Sequence, residues 1–168
     1  MNFEQAKKIT MTKMLSNDKS NKGSVDKPIK ALVNAINKTK NFYTTSSCSG
    51  RVIIIKIPDS GRKRDAEFLF RTHEKADIKK INSIIKELSD YDDSVWFRQE
   101  PAILHVAAKT LDDAYKLLTT ARKIGFKRAG LFEFKKRIIM ELVSTENIDA
   151  IIAKDGKVLI SEHYAKVL

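Results

Sequence analysis

The chain has 168 residues, 42% of them hydrophobic, and this length and apolar content suit one folded domain rather than a disordered protein. Its 32 Lys and Arg residues against 21 Asp and Glu give a formal net charge of +11, which favours an anionic partner, most commonly nucleic acid. A single cysteine, Cys48, excludes an intramolecular disulfide and a zinc site made of cysteines. The sequence begins without a signal peptide and has no apolar run of about 20 residues, so we expect a soluble, cytoplasmic protein.

The first part of the chain predicts three helices and three extended segments. In order, these are a helix over 1–17, a helix over 25–36, an extended stretch over 41–46, strands over 52–57 and 66–71, and a helix over 78–88. The β-branched run at 52–57 is typical of a strand that is buried on both faces. Ile78, Ile81, Ile85 and Leu88 recur at helical spacing.

The second part predicts strands over 95–100 and 103–108, which Pro101 separates because proline cannot donate to a ladder. A helix begins at Thr110, with acidic residues in its first turn, and ends at Gly125. Segments 127–134 and 137–143 form a predicted hairpin, Asp155-Gly156 turns a second hairpin within 148–160, and a short helix closes the chain. Because strands follow strands, we predict one α/β domain over 1–168. Its sheet is mixed or largely antiparallel with helices packed against it, and it is not a Rossmann fold.

One short segment stands out, because residues 44–51 place six hydroxyl or thiol side chains in a row before Gly50 and Arg51. In an extended stretch, Ser47, Ser49 and Arg51 would project to one side, about 6.5 Å apart. Hydroxyls, turn amides and a guanidinium on one edge suit a polyanion or a carboxylate, and Gly50 would let the ligand approach the backbone. A serine-rich turn before a buried strand, with Arg51 in solvent, is an equally good interpretation of the residues alone.

Two further polar side chains lie in the predicted strands around Pro101. Glu100 precedes the proline, and a partly buried carboxylate there needs a reason. His105 shares a strand face with Ile103 and Ala107, where a histidine is more often a satisfied core residue than a catalyst. The residues alone therefore favour Glu100 over His105.

Basic clusters fall in the predicted turns, at residues 62–64, 127–128 and 135–137. They could follow phosphates, with Trp96 or exposed Phe and Tyr side chains for stacking, although solvated turns are the simpler interpretation. In the loop over 18–23, Lys19 and Lys22 could hold a phosphate beside a helix start, but a solvated capping loop is favoured. The glycines never occur as Gly-x-Gly, so the dinucleotide fingerprint and the P-loop are both missing.

Four segments, in order along the chain, resemble the motifs of the tRNA wybutosine-synthesising protein 3 family. They are Asp-Lys-Ser-Asn-Lys-Gly with Val-Asp at 18–26, Tyr-Thr-Thr-Ser-Ser-Cys-Ser-Gly-Arg at 43–51, Glu-Pro-Ala-Ile-Leu-His-Val at 100–106 and Gly-Phe-Lys-Arg-Ala-Gly at 125–130. Ala129 departs from the pattern, in which a serine is expected before the glycine, and this weakens a hydroxyl role at that position.

The resemblance implies a methyltransferase that uses S-adenosylmethionine as co-substrate and no metal. The implied substrate is the demethylated wyosine-type guanosine at position 37 of phenylalanine tRNA, next to the anticodon, and the implied reaction is methylation of its ring nitrogen N4. Aligning the donor, managing a proton and excluding water would be the enzyme's main tasks. Two other classes remain open: a tRNA-binding accessory protein without catalysis, and a structural partner in a ribonucleoprotein.

Motif membership then assigns candidate roles to individual residues. Proton acceptors or catalytic groups are Asp18, Glu100 and His105. Donor-binding candidates are Ser46, Ser47, Ser49, Gly50 and Arg51. Candidates for contacts with the tRNA are Lys19, Ser20, Lys22, Lys127 and Arg128.

Overall fold

A computed structural model describes residues 1–15 and 25–168. The helices of this part are α1 (Phe3–Leu15), α2 (Lys30–Lys38), α3 (Ile78–Glu87), α4 (Leu111–Lys123) and α5 (Glu162–Ala165). The strands are β1 (Phe42–Cys48), β2 (Arg51–Ile57), β3 (Glu67–Thr72), β4 (Ser94–Glu100), β5 (Ile103–Ala108), β6 (Gly130–Glu133), β7 (Ile138–Val143), β8 (Ile148–Lys154) and β9 (Lys157–Val158). None of the helices in these residues is long and apolar enough to cross a membrane.

The chain folds into two compact units. Unit 1 contains residues 1–49 and 101–145, and unit 2 contains residues 50–100 and 146–168. Every strand pairing is antiparallel, in one four-stranded and one five-stranded sheet. The predicted α/β class with largely antiparallel pairing and no Rossmann fold is therefore confirmed, with the strands divided between two sheets.

Unit 1 is a sheet in the order β1-β5-β7-β6 with helices on both faces. Because side chains alternate along β5, Leu104 and Val106 pack into one core with α2 and α4. Ala107 points to the other face, where Ala6 of α1 and Tyr43 cover it. His105 lies on this second face, two residues along the strand from Ala107.

Unit 2 is a sheet in the order β3-β2-β4-β8-β9, and α3 and α5 cover one face of it. Ile53, Ile54 and Ile55 are buried in succession, as the β-branched run predicted. Asp155 and Gly156 both have positive φ, 51° and 68°, and form the tight turn between β8 and β9. The predicted Asp-Gly hairpin is therefore confirmed.

The helix predicted from Thr110 is present, and its end explains why the following strand is shorter than predicted. Gly125 has a φ of 117°, which favours glycine, and the Phe126 N–H donates to the Ala121 carbonyl at 2.9 Å in a Schellman stop. The Lys127 N–H then bonds back to the Gly125 carbonyl at 2.8 Å. This turn delays β6 to Gly130, where the sequence pattern suggested a start at 127.

Candidate active site

Three polar side chains line up across the second face of the unit 1 sheet. His105 on β5 lies directly opposite Ser46 on β1 and Glu141 on β7. The pairing of β1 with β5 shifts by one residue between Thr44 and Ser46. At such a bulge, two residues of one strand lie opposite one residue of its partner. The extra residue therefore leaves Ser46, rather than Thr45, opposite His105.

Both ring nitrogens of His105 have partners. Nε2 lies 2.7 Å from Oε2 of Glu141, and Nδ1 lies 3.1 Å from Oγ of Ser46. Because a carboxylate oxygen only accepts, Nε2 donates to Glu141, and Nδ1 of the neutral ring can accept from the Ser46 hydroxyl. The side chains of His105 and Glu141 are 24% and 41% exposed, so the network is open to solvent and to a ligand.

The aromatic ring of Phe132 fixes the plane of the imidazole. The two rings are nearly parallel, at 23°, with centroids 4.8 Å apart. Phe132 falls where the pairing of β6 with β7 is irregular, between Leu131 and Glu133. The histidine is thus held on three sides and can take up or release a proton through the Ser46 hydroxyl without turning.

A carboxylate also approaches the end of β1. Oδ2 of Asp26 accepts the Ser49 N–H at 2.8 Å. Ser47 and Cys48, which precede Ser49, are half-buried. A carboxylate with neighbouring hydroxyls and backbone amides suits an α-amino acid group, which carries both an ammonium and a carboxylate.

The continuous row of Ser47, Ser49 and Arg51 that the sequence suggested is not present. Gly50 has a φ of 84° and separates β1 from β2, and the chain passes from unit 1 to unit 2 between Ser49 and Gly50. Ser47 lies opposite Leu104 in unit 1, whereas Arg51 begins β2 in unit 2. A glycine that permits a left-handed conformation therefore ends the extended stretch.

In unit 2, Arg51 forms an ion pair with Glu100, its direct cross-strand partner on β4. The two side chains are 27% and 33% exposed. The Arg51 guanidinium also lies 5.6 Å from the centroid of the Phe68 ring, as does that of Arg71. Glu100 and Arg51, which the sequence suggested as a proton acceptor and a carboxylate ligand, are thus bound to each other.

The basic residues of the Gly-Phe motif reach solvent. Lys127 and Arg128 are exposed in the turn before β6, as contacts with RNA require. Arg122 donates from Nε and Nη2 to the Ala129 carbonyl, at 3.1 and 2.6 Å. Ala129 is buried in the core of unit 1, so a methyl side chain suits this position. Asp18, Lys19, Ser20 and Lys22 lie outside the described residues.

Three residues of this region were missed by sequence reasoning: Glu141, Asp26 and Phe132. Glu141 could have been found, because it is a carboxylate between Met140 and Leu142 in a predicted strand. The same argument had singled out Glu100. Asp26 belongs to the motif at 18–26, but nothing local predicts its contact with Ser49, which lies 23 residues away. Phe132 gave no local signal, because its contact depends on the irregular pairing of β6.

Comparison with known proteins points to one family. The family model described as Methyltransferase TYW3 matches residues 5–168. A Thermococcus sibiricus protein named tRNA(Phe) 7-((3-amino-3-carboxypropyl)-4-demethylwyosine(37)-N(4))-methyltransferase is 39% identical over 97% of this chain and 81% of its own length. The Xenopus laevis tRNA wybutosine-synthesizing protein 3 homolog is 37% identical over 90% of this chain and 61% of its own.

Solved structures agree with the sequence relatives. The PH1069 protein of Pyrococcus horikoshii superimposes with a TM-score of 0.87 and 35% identity, covering 99% of this chain and 84% of that one. A hypothetical protein from Aeropyrum pernix, at 20% identity and a TM-score of 0.70, shares the fold. With a family model matched over nearly its whole length and relatives above 30% identity, the chain belongs to the TYW3 methyltransferase family.

Proposed function

We propose that this protein transfers a methyl group from S-adenosylmethionine to N4 of the 4-demethylwyosine-type base at position 37 of phenylalanine tRNA. The reaction is the one for which its relatives of 35–39% identity are named. The observation that carries the proposal is the His105 imidazole, held between Ser46 and Glu141 on the open part of a sheet face. A ring nitrogen that gains a methyl group must lose its proton, and this network can accept one.

In the proposed reaction, the bond between the donor sulfur and its methyl carbon breaks as the N4–CH3 bond forms, and S-adenosylhomocysteine leaves with the sulfur's electron pair. The N4–H bond also breaks. The proton passes to the Ser46 oxygen while the Ser46 hydroxyl hydrogen moves to Nδ1 of His105. The imidazole becomes an imidazolium, and the carboxylate of Glu141 stabilises that charge through Nε2–H, as the acidic member of a catalytic triad does. Ser46 and His105 are then the catalytic residues, and Glu141 is a positioning residue. No covalent intermediate with the enzyme is required.

The donor supplies a methyl group on a positively charged sulfur, which is electrophilic without further activation. Its amino acid portion matches the chemistry at the end of β1, where Asp26 suits the ammonium and neighbouring hydroxyls suit the carboxylate. Ser47 and Ser49 remain donor-binding candidates in unit 1. The donor-binding roles that the family resemblance suggested for Gly50 and Arg51, which lie in unit 2, stay predictions. Ser46 is reassigned from donor binding to proton transfer, because its hydroxyl already contacts His105.

The test is to incubate the protein with S-adenosylmethionine and tRNA from cells that lack this methylation, and to analyse the nucleosides by mass spectrometry. We expect one additional methyl group on the tricyclic base at position 37 and none on tRNA without that base. Binding of tRNA without methyl transfer would contradict the proposal and favour the accessory class. Exposed Lys127 and Arg128 would help a methyltransferase and an accessory protein alike to bind tRNA. Binding of tRNA alone therefore does not distinguish the two classes.

A further inference from the structure

An open cavity of about 800 Å³ lies in unit 1, between the beginning of α1 and the turn that joins β6 to β7. Its floor is apolar and aromatic. The Phe3 and Tyr43 rings pack at 59° with centroids 5.2 Å apart, and Tyr43 is only 1% exposed. Ala107 completes the floor. Tyr43 and Ala107 are nearly fully buried, so the half-buried Phe3 offers the aromatic surface for a flat, uncharged ring.

The rim of the cavity is strongly basic. Lys135, Lys136 and Arg137 line it from the β6–β7 turn and are exposed. Lys109 also lines it, but Glu4 neutralises this lysine with an ion pair at 3.0 Å. In the part of the chain that the structure describes, no acidic side chain forms an ion pair with residues 135–137.

Two further features of the turn limit what the rim can bind. Glu133 is the nearest acidic residue in sequence, and its Oε1 accepts the Lys136 backbone N–H at 3.1 Å, so it caps the turn. Phe134, also on the cavity wall, is 67% exposed. An exposed aromatic ring beside three cations without acidic partners is the combination that binds single-stranded nucleic acid, by stacking and by phosphate contacts.

We infer that this cavity binds an unpaired nucleotide of the tRNA, with its base against the aromatic floor or Phe134 and its phosphates on residues 135–137. The inference rests on the proposed function and names a second contact of the same substrate. The methyl donor fits poorly here, because its sulfonium and ammonium outweigh its carboxylate and a rim of three cations repels a net positive ligand. The rim is instead complementary to a phosphate chain.

The position of the cavity agrees with this occupant. Ala107 on its floor lies on the same strand and the same face as His105, two residues further along β5. Two residues of a strand span roughly 7 Å. One RNA strand can therefore present its modified base to His105 and a nearby nucleotide to the cavity.

The experiment measures binding of an unmodified phenylalanine tRNA transcript by fluorescence anisotropy, and binding of S-adenosylmethionine by calorimetry. Changing Lys135, Lys136 and Arg137 together to Ala should weaken tRNA binding at least tenfold. It should also lower the salt slope by about 2, since each single-strand phosphate contact contributes about 0.7. Donor binding should stay within twofold. A matched control changes Lys30, Lys116 and Lys123, exposed on the helices of the opposite sheet face, and should have a smaller effect.

A single substitution tests the stacking contact. Phe134→Ala should weaken tRNA binding about fivefold or more, and Phe134→Trp should retain it. Unchanged tRNA binding in the triple variant would overturn the inference, and so would loss of donor binding with tRNA binding intact. If wild-type protein binds tRNA through this cavity but transfers no methyl group, the proposed function fails and the RNA site stands.

Discussion

His105 depends on residues from two neighbouring strands, and each partner does a different task. In the proposed reaction, Ser46 supplies the hydroxyl that the substrate reaches, and Glu141 holds the ring in one tautomer. The one-residue shift after Thr44 makes Ser46, rather than Thr45, the cross-strand partner of His105.

The first prediction concerns Glu141. In Glu141→Gln the amide oxygen can still accept from Nε2, but it carries no charge to stabilise an imidazolium. We expect kcat to fall roughly 100-fold, at the low end of the range for proton-transfer groups, while KM for tRNA changes less than twofold. Glu133→Gln, on the adjacent strand, is the control and should retain kcat within about threefold. A kcat for Glu141→Gln close to that of the control would remove the network from the mechanism.

The second prediction separates two roles for Glu100. If its carboxylate serves mainly to hold Arg51, Glu100→Gln should lower kcat less than tenfold, and the double variant with Arg51→Gln should be no worse than the poorer single variant. Urea unfolding should give a coupling free energy of about 0.5–1 kcal/mol, as for partly exposed ion pairs. A loss of 100-fold or more in Glu100→Gln, with Arg51→Gln active, would restore Glu100 as the proton acceptor.

At the scale of elements, α4 shows how local signals define a helix in this protein. The Thr110 hydroxyl accepts the Asp113 N–H at 3.1 Å and donates to Oδ2 of Asp113 at 2.7 Å. Asn41 donates to Oδ1 of the same carboxylate at 2.9 Å. The cap therefore joins the helix to the residue before β1.

The third prediction follows from this cap. The hydrogen bond from Thr110, aided by Asn41 and Lys116, lowers the pKa of Asp113 below its ordinary 3.8. The stabilisation that the ionised Asp113 carboxylate contributes is therefore present above about pH 4. It is lost as the pH falls through the lowered pKa of Asp113. Thr110→Ala should cost about 1 kcal/mol of unfolding free energy near neutral pH.

Urea unfolding of wild type and Thr110→Ala at neutral and acidic pH checks both parts of this prediction. The difference between the two proteins should shrink as the pH falls below about 4 and through the lowered pKa of Asp113. Thr120→Ala, in the interior of the same helix, is the control and should show no such pH dependence. A difference that stays constant with pH would mean that Asp113 does not contribute through its charge.

Local signals also explain what the sequence could predict. Thr110, Gly125 and the Asp155-Gly156 turn each act on residues within a few positions, so their effects were visible without a structure. The contact of Ser46 with His105 joins residues 59 positions apart and depends on strand register. No local pattern carries that register, so the residues alone favour Glu100 over His105.

At the scale of the whole molecule, the net charge of +11 has a direct consequence for substrate binding. The fourth prediction is that tRNA affinity falls linearly with salt on a log–log plot. With six or more phosphate contacts, the loss should be about 1,000-fold between roughly 50 and 200 mM salt. Donor affinity should change little in the same series, and this comparison is the control. A change of less than twofold in tRNA affinity would mean that the positive charge has another purpose.

Two of the family motifs lie where the chain passes from one unit to the other. The chain passes between the two units at residues 49–50, 100–101 and 145–146. Two of these passages fall inside motifs, at Ser49-Gly50 and Glu100-Pro101. The residues around them must both end a strand and begin the next unit, which explains why glycine and proline occur there.

The interrupted path of unit 1 also has a consequence during synthesis on the ribosome. Strand β1 emerges early, but its partner β5 is made only after the intervening segment 50–100. By then β2, β3 and β4 can already pair with one another. Closing the longer loop costs more chain entropy and slows folding. The strand that carries Ser46 thus stays without its partner β5 until residues 103–108 have been synthesised.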